Sequence, residues 1–305
     1  MYDQLARKRE LGDRGYDHRV VPWRSDIAAA TLEGTLNAVR YAKGEQYQVT
    51  APSVSLRFAP ESDSAVETQL LFGETFIAYD VDLVSGFAWG QAELDGHVGF
   101  VRLSGLNREA RESTHRVAVP SCPVLPRPDR KAKPAFTIPF NARVTVLEQS
   151  REDPIYVSIG DGFWVFVGDL SEVGIPEEDP LSCLQPLAGV SSYLWGFRNV
   201  EGFDCSGMVQ ALHVAQGRRC LRDADQQEED ATFGEVIPFD ESLSGLRRFD
   251  HVYFPGHVAV MLNSSHALHA KGENVRKLII ERIRDIDRWR STDCEGGART
   301  IKRFS

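Results

Sequence analysis

The sequence predicts an α+β chain in which two small β-barrels in tandem precede a mixed helix-and-sheet domain. Strand-type alternation runs through residues 48–110 and again through 111–172, with the same order of strands and turns. After the proline-containing acidic stretch EVGIPEEDPLSCLQPLAG (172–189), the pattern changes to one helix followed by strands. A length of 305 residues accommodates two or three such domains.

Residues 1–47 are read as a helical N-terminal segment. The stretch DIAAATLEGTLNAVRYA (26–42) places Ala29, Leu32, Leu36, Val39 and Ala42 on one helical face, with Asp26 as its N-cap. The two β-rich segments then align with each other. Leu56 falls on Val124, Gly73-Glu74 on Asn141-Ala142, and Asp95-Gly96 on Asp161-Gly162. A repeat of about 67 residues, closed each time by an Asp-Gly turn, predicts one small barrel per copy. Residues 173–305 form the last domain.

Composition narrows the function. The net charge is -9, which argues against nucleic acid as a partner. No window approaches the roughly 18 apolar residues of a membrane span. The first residues, MYDQLARKRELGDRGYDHRVV, lack the apolar core of a secretory signal, so a cytoplasmic location is expected. Cysteines 122, 183, 205, 220 and 294 form no Cys-x-x-Cys pair, which fits free thiols in a reducing compartment.

One of these cysteines has an unusual setting. In EGFDCSGMVQALHVAQG (201–217), Cys205, Met208, Val209 and Leu212 follow helical spacing, and Gly217 supplies the stop. Asp204 or Ser206 can cap, so Cys205 lies in the first turn, where unpaired amides favour a thiolate. A buried structural cysteine would show the same pattern, so partners are needed. The stretch FDHVYFPGHVAVMLNSSHALHA (249–270) reads as three strands. Antiparallel pairing about Asn263 sets His257 directly opposite His269 on one face. A helix-start thiol and two cross-strand imidazoles would supply nucleophile, base and orienting group. Zinc held by Cys205, His257 and His269 is the metal alternative, but no fourth ligand has a familiar spacing.

The motifs carry a resemblance. SYLWGFRNVEGFDCSGMVQ (192–210) resembles the Tyr-x-Trp-Gly…Gly-x-Asp-Cys-Ser-Gly-Leu-Val signature of the NlpC family of papain-like murein peptidases. The block at 249–270 resembles that family's histidine strands, and LRDADQQ (221–227) its Arg-x-Ala/Ser-x-x-Gln element. The hairpin at Asp95–Val101 resembles that of bacterial SH3-like domains. The resemblance implies a papain-like cysteine peptidase domain behind two SH3-like barrels, with Cys205 as nucleophile, His257 as base and His269 as third polar residue.

It further implies similarity to γ-D-glutamyl-L-diamino acid endopeptidases, which act on murein tri- or tetrapeptides bearing a free N-terminal L-Ala. Asp204 and Ser206 would then bind the α-amine, Tyr193 and Trp195 would line the cleft, and His97 and Glu74 of the first barrel would close that end. No metal, organic cofactor, nucleic acid or membrane is required, and the oligomeric state is left open. Phe197, Phe249 and Ala259 stand where the family pattern has Gly, and His97 where it has Tyr. Two other readings share these residues: a barrel-mediated cell-wall or peptide-binding protein, and an acyltransferase using the same Cys-His-His site.

Overall fold

A computed structural model of the chain describes residues 4–294 and 296–304. It divides into a unit ending at Gly174 and a unit beginning at Ile175.

The first unit opens with helix α1 (Gln4–Asp13). Its buried Arg7 donates to the carbonyls of Val21 and Trp23, each at 2.7 Å. The helix expected over 26–42 does not form. Instead β1 (Ile27–Ala29) and β2 (Arg40–Ala42) pair in parallel, and a 3-10 turn follows β1. Gly34 adopts φ +80°, a left-handed value that an α-helix cannot contain. Asp26 bonds the Arg24 guanidinium at 2.9 Å rather than capping a helix. The supposed apolar face is split accordingly: Leu36 is buried with Leu11 and Trp23, while Val39 is 86% exposed.

The first barrel comprises β3 (Glu45–Val49), β4 (Ser53–Arg57), β5 (Val66–Leu71), β6 (Thr75–Asp82), β7 (Phe87–Ala92), β8 (Val98–Arg102) and β9 (Leu106–Asn107). Its strand order is β5-β4-β8-β7-β6-β3-β9. The chain enters this sheet at Glu45, inside the segment read from sequence as helical. The second β-segment holds β10 (His115–Val117), β11 (Ser121–Val124), β12 (Phe136–Pro139), β13 (Arg143–Val144), β14 (Glu148–Gln149), β15 (Tyr156–Gly160), β16 (Phe163–Phe166) and β17 (Leu170–Glu172).

The pairing pattern recurs between the two segments. β3 pairs with β6 and β9, as β10 does with β13 and β17. β4 pairs with β5 as β11 does with β12, and β6-β7-β8 is matched by β14-β15-β16. The long β6 is thus represented by two shorter pieces. The turn residues also correspond: Gly73 and Asn141 both take left-handed φ, +78° and +68°. Each segment has its own core, built on Leu56, Phe76 and Val101 in one and Val124, Ile138 and Val165 in the other.

The second unit contains α2 (Leu181–Leu184), β18 (Ser192–Tyr193), β19 (Arg198–Asn199), β20 (Gly202–Phe203), α3 (Cys205–Ala215) and α4 (Ala224–Glu229). There follow β21 (Glu235–Val236), β22 (His251–Phe254), β23 (His257–Met261), β24 (His266–Lys271), β25 (Lys277–Arg282), α5 (Ile283–Asp293) and β26 (Thr300–Arg303). Nine strands form one sheet in the order β19-β20-β18-β25-β24-β23-β22-β26-β21. Helix α5 packs Ile283 and Ile286 against Val252, Ala259 and Met261 of that sheet. Helix α3 packs on β23 and β24, with Met208, Val209 and Leu212 buried as their helical spacing predicts. Among the described residues, no helix is long and apolar enough to cross a membrane.

Candidate active site

Asp204 is the N-cap of α3, and its side chain accepts from the Gly207 amide at 2.6 Å. Cys205 is therefore the first helical residue, buried at 8% exposure. Its sulfur is within hydrogen-bonding reach of the Val258 and Ser206 backbone amides. Val258 directly follows His257, so the contact ties the helix start to the head of β23. Gly207 is required by space: a Cβ there would collide with the Phe197 carbonyl oxygen.

His257 and His269 are both buried, and His257 Nε2 lies 3.0 Å from His269 Nδ1. The strand register differs from the one expected. Val260 faces Leu268 and Met261 faces Ala267. Carried back along both strands, this sets His257 against Lys271 rather than His269. The displacement is two residues, and side chains alternate faces with period two, so both imidazoles still share one face. They meet as diagonal neighbours across the ladder.

The hydrogen-bonded run continues. His269 Nε2 lies 2.9 Å from Glu281 Oε2 of β25, and Lys271 Nζ donates to the same oxygen at 3.2 Å. The Trp289 ring of α5 lies 6.2 Å from the His257 ring and 4.3 Å from Lys271 Nζ. Sequence reasoning missed Glu281, Lys271 and Trp289, because none sits in a recognisable motif.

Electrostatics reverse one expectation. Burial, followed by the Asp204 carboxylate, pushes the Cys205 thiol up to about 12. The first-turn amides therefore do not suffice to hold a resting thiolate. Burial, then His269, Arg290 and Lys271, hold His257 well below the ordinary imidazole range. The resting pair is a neutral thiol and a neutral imidazole.

Asp204 does more than cap. Arg222, 1% exposed at its side chain, bonds both carboxylate oxygens, Nη1 to Oδ1 at 2.9 Å and Nη2 to Oδ2 at 2.6 Å. The Gly196 amide adds a donor at 2.8 Å. Arg222 Nη1 also reaches Ser206 Oγ at 3.1 Å, and Gln227 Nε2 donates to the Ser206 carbonyl at 3.1 Å. The Arg and Gln of the 221–227 motif thus brace the turn that carries Cys205. Asp204 and Ser206, expected as amine ligands, are occupied by these bonds.

Tyr193 is half-buried, and its phenol is pushed up by burial and then by the charges of Cys205 and Asp204. Trp195 is 70% exposed. Glu74 and His97 belong to the first barrel and are buried there. Glu74 Oε2 accepts from the Leu71 amide of its own turn at 2.9 Å. The His97 amide donates to Asp95 at 2.9 Å, in the turn between β7 and β8. Among the described residues, no group of three or more His, Cys, Asp or Glu side chains is arranged to hold a metal ion.

A buried cysteine opening a helix that packs on a sheet bearing a hydrogen-bonded histidine pair defines a papain-like α+β unit. Comparison with known proteins agrees. Residues 189–292 match the model of the NlpC/P60 family. Residues 56–106 match that of the bacterial dipeptidyl-peptidase Sh3 domain. The second unit therefore carries an NlpC/P60 domain, and the first barrel is an SH3 domain of this bacterial type. A crystal structure of an NlpC/P60 family protein from Bacillus cereus is similar with TM-score 0.67 at 17% identity, over 85% of this chain and 99% of that one. An NlpC/P60 endopeptidase from Photobacterium damselae subsp. piscicida is similar with TM-score 0.59 at 12% identity, over 84% and 70% of the two chains. Dipeptidyl-peptidase 6 from Lysinibacillus sphaericus is 32% identical over 79 residues, which are 26% of this chain and 27% of the relative's length.

Proposed function

We propose that the chain is a cysteine peptidase that hydrolyses the γ-D-glutamyl–diamino acid bond of murein-derived tri- or tetrapeptides with a free N-terminal L-Ala. The observation that carries this reading is the Cys205 thiol at the head of α3, held against the strand of the hydrogen-bonded His257–His269 pair. His257 would take the thiol proton as Cys205 Sγ attacks the amide carbonyl, forming a tetrahedral oxyanion. The Cys205 backbone N–H, at the first helical position, has no intrahelical acceptor and is available to that oxyanion. Collapse returns the proton to the departing amine and leaves a thioester, which water hydrolyses with His257 again as base.

The bond class rests on the resemblance and on the relative's name. Release of L-Ala-γ-D-Glu is release of a dipeptide from a free N-terminus, the action the words dipeptidyl-peptidase describe. All five cysteines are free thiols, consistent with work on soluble wall fragments in a reducing cytoplasm, as in cell-wall recycling.

The test compares kcat/KM for L-Ala-γ-D-Glu-diaminopimelate with that for its N-acetylated form. Rejection of the acetylated peptide by a factor of roughly a hundred or more is expected if the cleft recognises the free amine by a hydrogen-bonded contact that acetylation removes. Equal values would contradict the free-amine requirement and leave the thiol mechanism standing.

A further inference from the structure

His269 stands between two partners, and their chemistry determines where its hydrogen sits. The Glu281 carboxyl is held below its usual range, first by its bond to His269, so it is ionised at neutral pH. An ionised carboxylate only accepts hydrogen bonds. His269 Nε2, 2.9 Å from Glu281 Oε2, must therefore carry the hydrogen. Burial keeps His269 below the ordinary imidazole range, so the neutral ring offers its Nδ1 as a lone pair. Among the described residues, the group that the structure places at that lone pair, 3.0 Å away, is His257 Nε2, which must then be the donor. A neutral His257 with its hydrogen on Nε2 has a free lone pair on Nδ1.

We propose that Glu281, held in place by Lys271, is a positioning residue that sets the tautomers of both histidines and so leaves His257 Nδ1 as the base for Cys205. The proposal rests on the peptidase reading above for its purpose, but not for its geometry. Without the carboxylate, His269 is free to carry its hydrogen on Nδ1 and to donate it to His257 Nε2. The His257 hydrogen then moves to Nδ1, the nitrogen that has to receive the thiol proton. That state has no base. Lys271, with Nζ at 3.2 and 3.5 Å from the two Glu281 oxygens, keeps the carboxylate ionised and aimed.

The experiment uses the full chain labelled with ¹⁵N-histidine, and long-range ¹H–¹⁵N spectra report which ring nitrogen carries hydrogen. In the wild type, both His257 and His269 should be protonated on Nε2. In Glu281→Ala, both rings should show a mixture of tautomers. Alkylation of Cys205 by iodoacetamide at neutral pH should slow in proportion to the fraction of His257 that carries its hydrogen on Nδ1, about twofold for an equal mixture. Glu281→Gln keeps the side-chain shape should the alanine variant misfold. Its amide can donate as well as accept, so mixed tautomers are expected there too. Wild-type tautomers in a folded Glu281 variant would overturn the proposal. Because the spectra need no substrate, they decide this point even if the chain cleaves no murein peptide.

Discussion

His257 and His269 share a hydrogen bond of 3.0 Å although neither lies directly across the ladder from the other. The ring of each is held by a partner on its neighbouring strand, and both side chains are buried. Burial, followed by His269, Arg290 and Lys271, lowers His257. A base held low stays neutral and competent until the pH falls through its lowered value. The acid limb of the kcat/KM profile should therefore lie below the ~6.5 of an unperturbed imidazole. An acid limb centred at or above that value would contradict the buried pair.

The ion pair between Asp204 and Arg222 should be the most sensitive point in the scaffold of the site. Asp204→Ala strands a buried guanidinium and removes the cap of α3, at a cost of about 3–5 kcal/mol. Arg222→Met should cost less, because Asp204 keeps the Gly196 and Gly207 amides as donors. Urea unfolding of the two variants checks the order. Equal losses would contradict that order, and no loss in either would show that the pair carries little.

Gly207→Ala inverts the usual rule for helices. Propensity alone would favour alanine by about 1 kcal/mol. The added methyl would instead collide with the Phe197 carbonyl oxygen and come within 3.1 Å of Arg198 Cβ. Net destabilisation of about 1–3 kcal/mol is expected, read by thermal melting. A raised Tm would show that the turn before α3 yields freely.

A second buried pair governs acid stability rather than chemistry. His213 and His251 have ring centroids 4.9 Å apart, beside Phe233, Phe249 and Phe304. Burial and then Arg218 hold His213 down at about 3, and burial, then His213, Lys302 and Arg218 hold His251 well below its ordinary value. Both are neutral when folded, whereas the unfolded chain binds their protons below pH ~6.5. Their contribution is thus complete above that pH and is lost as pH falls toward the folded values, at up to ~1.4 kcal/mol per pH unit for each histidine. His213→Gln should flatten the fall of unfolding free energy between pH 6.5 and 5, measured in urea. An unchanged slope would contradict this.

Much of the site was legible because its determinants are local. The cap, the helix stripe and the stop of α3 all lie within residues 204–217, and local spacing reports them directly. The histidine pair survived an error in register because only the parity of the offset decides the face. Glu281 and Lys271 were not legible, since charged residues on strands are ordinary and only the sheet order β23-β24-β25 brings them to His269. The stretch 26–42 was misread for the opposite reason. Its apolar spacing is helical, but Gly34 in the left-handed region and the Arg24–Asp26 pair commit the backbone to a turn between two short strands. The 221–227 motif was visible, whereas its bracing of Ser206 and Asp204 required the fold.

The central claim is that Cys205 is the nucleophile of a peptidase. It is tested most directly by incubating L-Ala-γ-D-Glu-diaminopimelate with the full chain and with Cys205→Ala, and reading the products by mass. The wild type should release L-Ala-γ-D-Glu and diaminopimelate, and the alanine variant, matched for Tm, should release neither. Cleavage by Cys205→Ala at the wild-type rate would contradict the account.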